Sequence, residues 1–272
     1  MSAKLSCLLS ILFLSLVLSG CKQQEPVPPP QTAGPLELEA SPEVPLAEML
    51  QERYDAKISK NRDGLMRVIR LDRCDADDSV LKSIAGEESL KGSLEELSLV
   101  QTKITDAGVA GLESLGKLKK LRIGNTEITD ASAASLAKLV SLEDLDVSNT
   151  ALGNAALAEI GKLTGLTSLN LYTTNIDNAG LDSLASLTSL TRLNLDNCDI
   201  DDDAIEKLKP FVKLEWLHLG RTALTDAGLE QLAGLKTLRE VHITRTNITP
   251  EGAAKFREAS PECVVHDRVE GE

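Results

Sequence analysis

Aromatic side chains are nearly absent. One tryptophan, two tyrosines and three phenylalanines make up 2% of 272 residues, while hydrophobic residues as a class reach 42%. Any core must therefore be packed from aliphatic side chains, above all leucine, a composition uncommon in compact enzymes. Histidine is as scarce: His218, His242 and His266 all lie near the C-terminus, with no partnered nucleophile or paired acid in evident reach. The sequence also lacks a Gly-x-Ser-x-Gly elbow, a His-Glu-x-x-His helix and a glycine-rich phosphate loop. These gaps argue against an enzyme and against a bound cofactor. Positive charge is in deficit, with 29 Lys and Arg against 42 Asp and Glu and a net charge of −13. A chain this acidic is a poor candidate for nucleic acid or for direct adhesion to anionic lipid.

No apolar run reaches the roughly 20 residues that span a bilayer. The nearest is a 14-residue stretch from Leu5 to Leu18, broken only by serines and preceded by Lys4. That layout is a secretory signal. It ends in Leu18-Ser19-Gly20-Cys21, which resembles the bacterial lipoprotein box. The resemblance implies cleavage before Cys21, a diacylglyceryl group on its thiol and an acylated amino terminus. Two or three acyl chains, at about 0.8 kcal/mol per buried methylene, anchor a protein stably. The expected location is an exported protein held by lipid at the outer membrane or at the periplasmic face of the inner membrane. Lys22 to Pro45 then holds seven of the ten prolines. Polyproline conformation at about 3.1 Å per residue lets this tether reach roughly 70 Å.

Beyond the tether the dominant feature is a repeat. Leu94, Leu118, Leu142, Leu166, Leu190, Leu214 and Leu238 are each 24 residues apart. Each begins a unit with seven apolar positions, as in Leu94, Leu97, Leu99, Ile104, Val109, Leu112 and Leu115. All 49 such positions in the seven units are apolar, which random placement at 42% hydrophobic content does not produce. A longer first unit starts at Met66, with Ile69 and Leu71 in register and an insertion near Glu87 to Ser93.

The pattern resembles the leucine-rich repeat, L-x-x-L-x-L-x-x-N/C-x-L. The resemblance implies an α/β solenoid of about eight repeats, a horseshoe with parallel strands on the concave face and helices on the convex face. One column departs from the family pattern. Thr102, Thr126, Thr150, Thr174, Thr222 and Thr246 fill the asparagine position, with Cys74 and Cys198 in two units. Threonine there, followed by Thr105-Asp106-Ala107-Gly108 and its equivalents, resembles a bacterial subclass. A threonine hydroxyl can make one turn-closing bond, worth about 1 kcal/mol net. Cys74 and Cys198 sit five repeats apart, about 24 Å at strand spacing, too far for a disulfide. With Cys263 they form an odd set without metal-ligand spacing.

The two periods within a unit divide it into strand and helix. Leu94, Leu97 and Leu99 belong to a strand and Ile104 closes the turn. Thr105 or Asp106 caps a helix whose apolar face is Val109, Leu112 and Leu115. Acids such as Asp106, Asp130, Asp226 and the Asp201-Asp202-Asp203 run suit positive helix ends better than a calcium loop. A solenoid needs protected ends. Leu46 to Gln51 predicts a helical turn, and Lys57-Ile58-Ser59, Asn61 to Gly64 and Leu65 to Leu71 predict a capping hairpin. Cys263-Val264-Val265 predicts a closing strand. The expected division is signal peptide 1–20, tether 21–45, N-terminal cap 46–65, repeats 66–261, and C-terminal cap and tail 262–272.

Strand residues outside the leucine positions face the concave side. The middle of that face is rich in Asn, Asp, Ser and Thr, whereas Trp216, His218, Arg221, His242 and Arg245 gather in the last two repeats. An exposed tryptophan with nearby arginine, as expected here for Trp216, is the composition of interaction hot spots. With Tyr172, these residues are the candidate ligand-binding set; the alternative is that Trp216 covers aliphatic stems and the arginines balance neighbouring acids. A His218–His242 metal site is disfavoured because no third ligand is fixed beside the pair, so no metal is expected. The expected role is a monomeric binding or scaffold protein engaging a protein partner. The alternatives are recognition of carbohydrate or peptidoglycan, or a purely structural envelope component.

Overall fold

A computed structural model describes residues 45–267. The expected signal peptide, the lipidation site at Cys21 and the tether up to residue 44 lie outside them.

Each 24-residue unit has room for one very short strand and one short helix, and stacking such units makes a ladder. The strands are β1 (Lys57–Lys60), β2 (Met66–Arg70), β3 (Glu96–Ser98), β4 (Lys120–Arg122) and β5 (Asp144–Asp146). They continue as β6 (Ser168–Asn170), β7 (Arg192–Asn194), β8 (Trp216–His218), β9 (Glu240–His242) and β10 (Val264–His266). They form one sheet in sequence order. From β2 to β10 every neighbouring pair is parallel, and from β3 onward the register advances by 24 residues. β1 is antiparallel to β2, the hairpin expected of the N-terminal cap. The closing strand runs Val264–His266, one residue later than the sequence pattern places it, and Cys263 precedes it as a buried residue.

The middle residue of each strand points inward. Ile69, Leu97, Leu121, Leu145, Leu169, Leu193, Leu217 and Val241 are at most 1% exposed. Burying a leucine this fully stabilises by about 1.5–3 kcal/mol, and the core repeats that contribution in every unit. The opposite layer is helical but broken. Asp106–Ala110 continues as a 3-10 turn, Gly111–Ser114, and Asn178–Leu181 continues likewise into Asp182–Leu184. Among the described residues only the helix Pro250–Ala259 reaches ten residues. The reason is space: strand and turn consume most of each unit, and an α-helix about 10 Å across is wider than the roughly 4.8 Å strand spacing. Placing the bulkier layer outside bends the stack into the horseshoe.

Two side-chain ladders lock the units. In the first, the hydroxyls of Thr102, Thr126, Thr150, Thr174, Thr222 and Thr246 each donate to the carbonyl three residues earlier, at 2.6–2.8 Å. Cys74 does the same through Sγ to Leu71. Cys198 instead donates to the Leu171 carbonyl of the previous unit, beside Thr174. The second ladder runs between units at the helix starts. The Asp78 carboxylate accepts from both the amide and the hydroxyl of Thr105, at 2.9 and 2.6 Å. Asp106 holds Thr129, Asp202 holds Thr225 and Asp226 holds Thr249 in the same way. Thr105, Thr129, Thr225 and Thr249 are the N-caps. Of the two residues offered as caps, the threonine caps its own helix and the aspartate reaches to the next unit's cap. The Asp201–Asp203 run is absorbed likewise, with Asp201 bonded to Asn178 and the Asp203 amide.

Both ends are closed. Leu46–Tyr54 is a helix that buries Leu50 and Tyr54 against the first units. Phe256, Ala253 and Cys263 bury the last unit. Among the described residues no helix is long and apolar enough to cross a membrane.

Candidate functional site

The first and third residues of each three-residue strand lie on the outer, concave face. Because the register advances by 24, residues one period apart become neighbours in space. One row is therefore Arg192, Trp216, Glu240 and Val264, and the row beside it is Asn194, His218, His242 and His266. Over β8 to β10 the two rows interlock. Trp216 meets His218 and His242 at 5.8 and 5.3 Å between ring centroids. His218 stacks on His242 at 4.8 Å and His242 on His266 at 4.1 Å, nearly parallel. The Arg192 guanidinium lies 4.4 Å from the Trp216 ring centre, a cation–π contact.

The acids of this region are drawn to the imidazoles. Glu240 Oε1 lies 2.8 Å from His242 Nε2 and 3.2 Å from His266 Nε2. The His242 hydrogen bond is the largest of the influences that hold the Glu240 carboxyl below the usual glutamate range. Toward the centre of the sheet Asp196 is buried, 6% exposed, and pairs with Arg221 Nη2 at 2.5 Å. Its Oδ1 has no hydrogen-bond partner among the described residues. Arg221 also stands over Tyr172, 5.3 Å from the ring centre. His218 Nδ1 accepts from the Gly220 amide at 3.3 Å and lies 3.6 Å from Asp196. Burial pushes the His218 pKa down, against the pull of the Asp196 charge.

A second concavity lies at the other end of the sheet, a cleft of about 850 Å³. Arg53, Lys57, Arg70 and Arg73 face Glu52, Asp55, Asp72 and Asp75 around it, so its charges balance.

Comparison with known proteins agrees with this architecture. Residues 92–152 match a family model described as "Leucine rich repeat", and residues 186–209 and 234–256 match a second model of the same description. Among solved structures, the chain is similar to internalin C2 from Listeria monocytogenes, with a TM-score of 0.60 and 21% identity over 82% of this chain and 92% of that one. No curated protein matches the sequence. The fold is a leucine-rich-repeat solenoid. Its repeat positions account for the core and both ladders, leaving the outer-face residues as the variable part of each repeat.

Of the residues singled out by sequence, the repeat stack brings Trp216, His218 and His242 into one contact row, and joins Arg221 to Tyr172. Arg245 stands apart, exposed in the turn after β9. Trp216 is half-buried rather than exposed, since Arg192 and the histidines cover it. One expectation is corrected: the histidines do have acids within reach, Asp196 beside His218 and, on the same strand, Glu240 beside His242. The His218–His242 pair itself gains no third ligand, but β10 adds a further parallel strand whose register carries His266 onto Glu240 and His242. Arg192, Glu240 and His266 were missed as members of the patch, although each sits a whole number of periods from a residue that was named.

Proposed function

We propose that this leucine-rich-repeat protein is an exported binding protein, held to a bacterial membrane by lipid on Cys21, that engages a protein partner through the C-terminal part of its concave face. The observation that carries the reading is the continuous contact of Trp216 with the stacked His218, His242 and His266, with Arg192 on the Trp216 ring, Arg221 beside Asp196 and Tyr172, and the exposed Arg245 in the turn after β9. Repeat stacking needs only the inward residues, so nothing in the fold calls for aromatic rings and arginines to collect on the outer face. Solenoids present such extended concave surfaces to partners, and buried aromatics with arginine carry most of the energy at protein interfaces.

A protein partner fits better than a glycan. A sugar-binding aromatic offers a bare ring face, whereas Arg192 lies over Trp216 and Arg221 over Tyr172. The Asn-rich turns are also occupied with one another, through Asn149 with Asn125 and Asn197 with Thr173.

The test is affinity capture from envelope extracts with the full chain and a Trp216→Ala/Arg245→Ala variant whose circular dichroism matches the parent. The expected result is a partner retained by the parent, lost by the variant, weakened by salt and indifferent to soluble glycans. Equal capture by both proteins overturns the assignment of the surface, and release by a soluble glycan turns it into a carbohydrate site.

A further inference from the structure

The strand that closes the sheet brings three metal-ligating side chains to one point. Glu240 and His242 lie two residues apart on β9 and so face the same side, and parallel pairing puts His266 beside His242. One ligand atom from each of the three falls within 4.8 Å of the others. Ligand atoms around a tetrahedral zinc, bonded at about 2.0–2.1 Å, are roughly 3.3 Å apart. The Glu240 oxygen already sits at that separation from His266 Nε2 and slightly inside it from His242 Nε2. The whole set draws together by no more than about 1.5 Å to grip one ion. The His242 and His266 rings are stacked within 7° of parallel, so their in-plane lone pairs run side by side and binding an ion requires each ring to turn about its side-chain torsions. All three side chains are partly exposed, which leaves the ion a way in.

We infer that Glu240, His242 and His266 form a binding site for a zinc-class divalent cation on the concave face, with at least one coordination position open. The donor set decides the class of metal. Two imidazoles and one carboxylate suit zinc and its first-row neighbours, whereas calcium and magnesium take oxygen ligands. Three protein ligands and an open fourth position is also the arrangement of zinc sites that bind an exogenous group. His218, next in the stack, turns Nδ1 to the Gly220 amide on the side of Asp196 and stands outside the ligand set. The site goes beyond the partner-binding reading and does not depend on it.

The probe is zinc chloride, titrated by calorimetry into the untagged full chain after removal of metal with a chelator, in the absence of any partner. The expected result is one zinc per chain, with affinity falling about tenfold or more in Glu240→Gln and in His266→Gln. Cys74→Ser, which removes the most accessible thiol of the described residues, keeps the parent affinity. Both ligand variants are near in size to the parent, and an unchanged chelator-treated melting temperature verifies that they fold. Cobalt substitution adds a second readout, visible absorption of a four- or five-coordinate ion that is lost in the same variants. No zinc bound at micromolar concentration, or zinc bound undiminished by both ligand variants, overturns the site. Neither result bears on whether the Trp216 surface holds a protein.

Discussion

At the scale of single residues, the column that follows each strand carries a cost not visible in residue type. Arg73, Gln101, Asn125, Asn149, Thr173, Asn197, Arg221 and Arg245 all have φ between 51° and 60°, the left-handed region. Asparagine tolerates it through its short polar side chain, but a β-branched residue there is an outlier. Thr173 is that outlier, and its Oγ1 accepts from Asn197 Nδ2 at 3.0 Å. Asparagine at the same place keeps an acceptor for Asn197 and relieves the backbone. Thr173→Asn is therefore expected to raise stability by about 1 kcal/mol, read as a higher urea midpoint with unchanged slope. From the sequence this column reads only as part of the ligand-facing surface. Its conformation was not legible because glycine, the usual marker of a left-handed turn, is absent from all eight positions.

At the scale of the element, the Thr-Asp-Ala-Gly motif joins two turns of the solenoid. Its aspartate takes both polar groups of the next unit's N-cap threonine, and its glycine makes room for the previous unit's aspartate. A methyl group on Gly108, Gly228 or Gly252 would overlap the carboxylate of Asp78, Asp202 or Asp226. Gly228→Ala is expected to destabilise by about 1–3 kcal/mol, since the Leu224 side chain crowds the same space. Gly116→Ala, which meets nothing within 4 Å, should stay within about 0.5 kcal/mol of the parent in the same urea titration. The clamp also ties stability to pH. Asp226 is held below the usual aspartate range chiefly by the Thr249 hydroxyl, and Asp177 chiefly by Asn154. Groups with depressed values contribute in full above the unfolded aspartate value of about 3.9, and that contribution is lost as pH falls through their lower folded values. Stability measured from pH 6 down to pH 3 should fall, and fall less steeply in Asp226→Asn. The motif is plain in the sequence, yet its partner lies 23 residues away, across a contact that only the stacked units create.

At the scale of the whole molecule, periodicity made most of the fold readable. Leu97, Leu121 and their successors identify the strands, and threonines such as Thr126 and Thr150 identify the turns. The site was legible only in part, because the named columns stopped at His242 while the sheet runs one strand further. Val264 and Val265 mark that strand, but its register, and so the meeting of His266 with Glu240, depends on the pairing of β10 with β9. The finished stack is closed at both ends, buries its leucines and offers no membrane-spanning helix among the described residues. The proposed attachment to a membrane rests on Cys21, where the anchor strength would come from acyl chains, and the proline-rich tether is expected to give the concave face its reach. Cys21→Ser isolates that step, because it changes a residue far outside the repeats. The expected outcome is loss of labelled palmitate and movement from the membrane to the soluble fraction, with circular dichroism and melting temperature unchanged. Retention in the membrane fraction after Cys21→Ser overturns the lipid anchor and leaves the solenoid and its surface as they are.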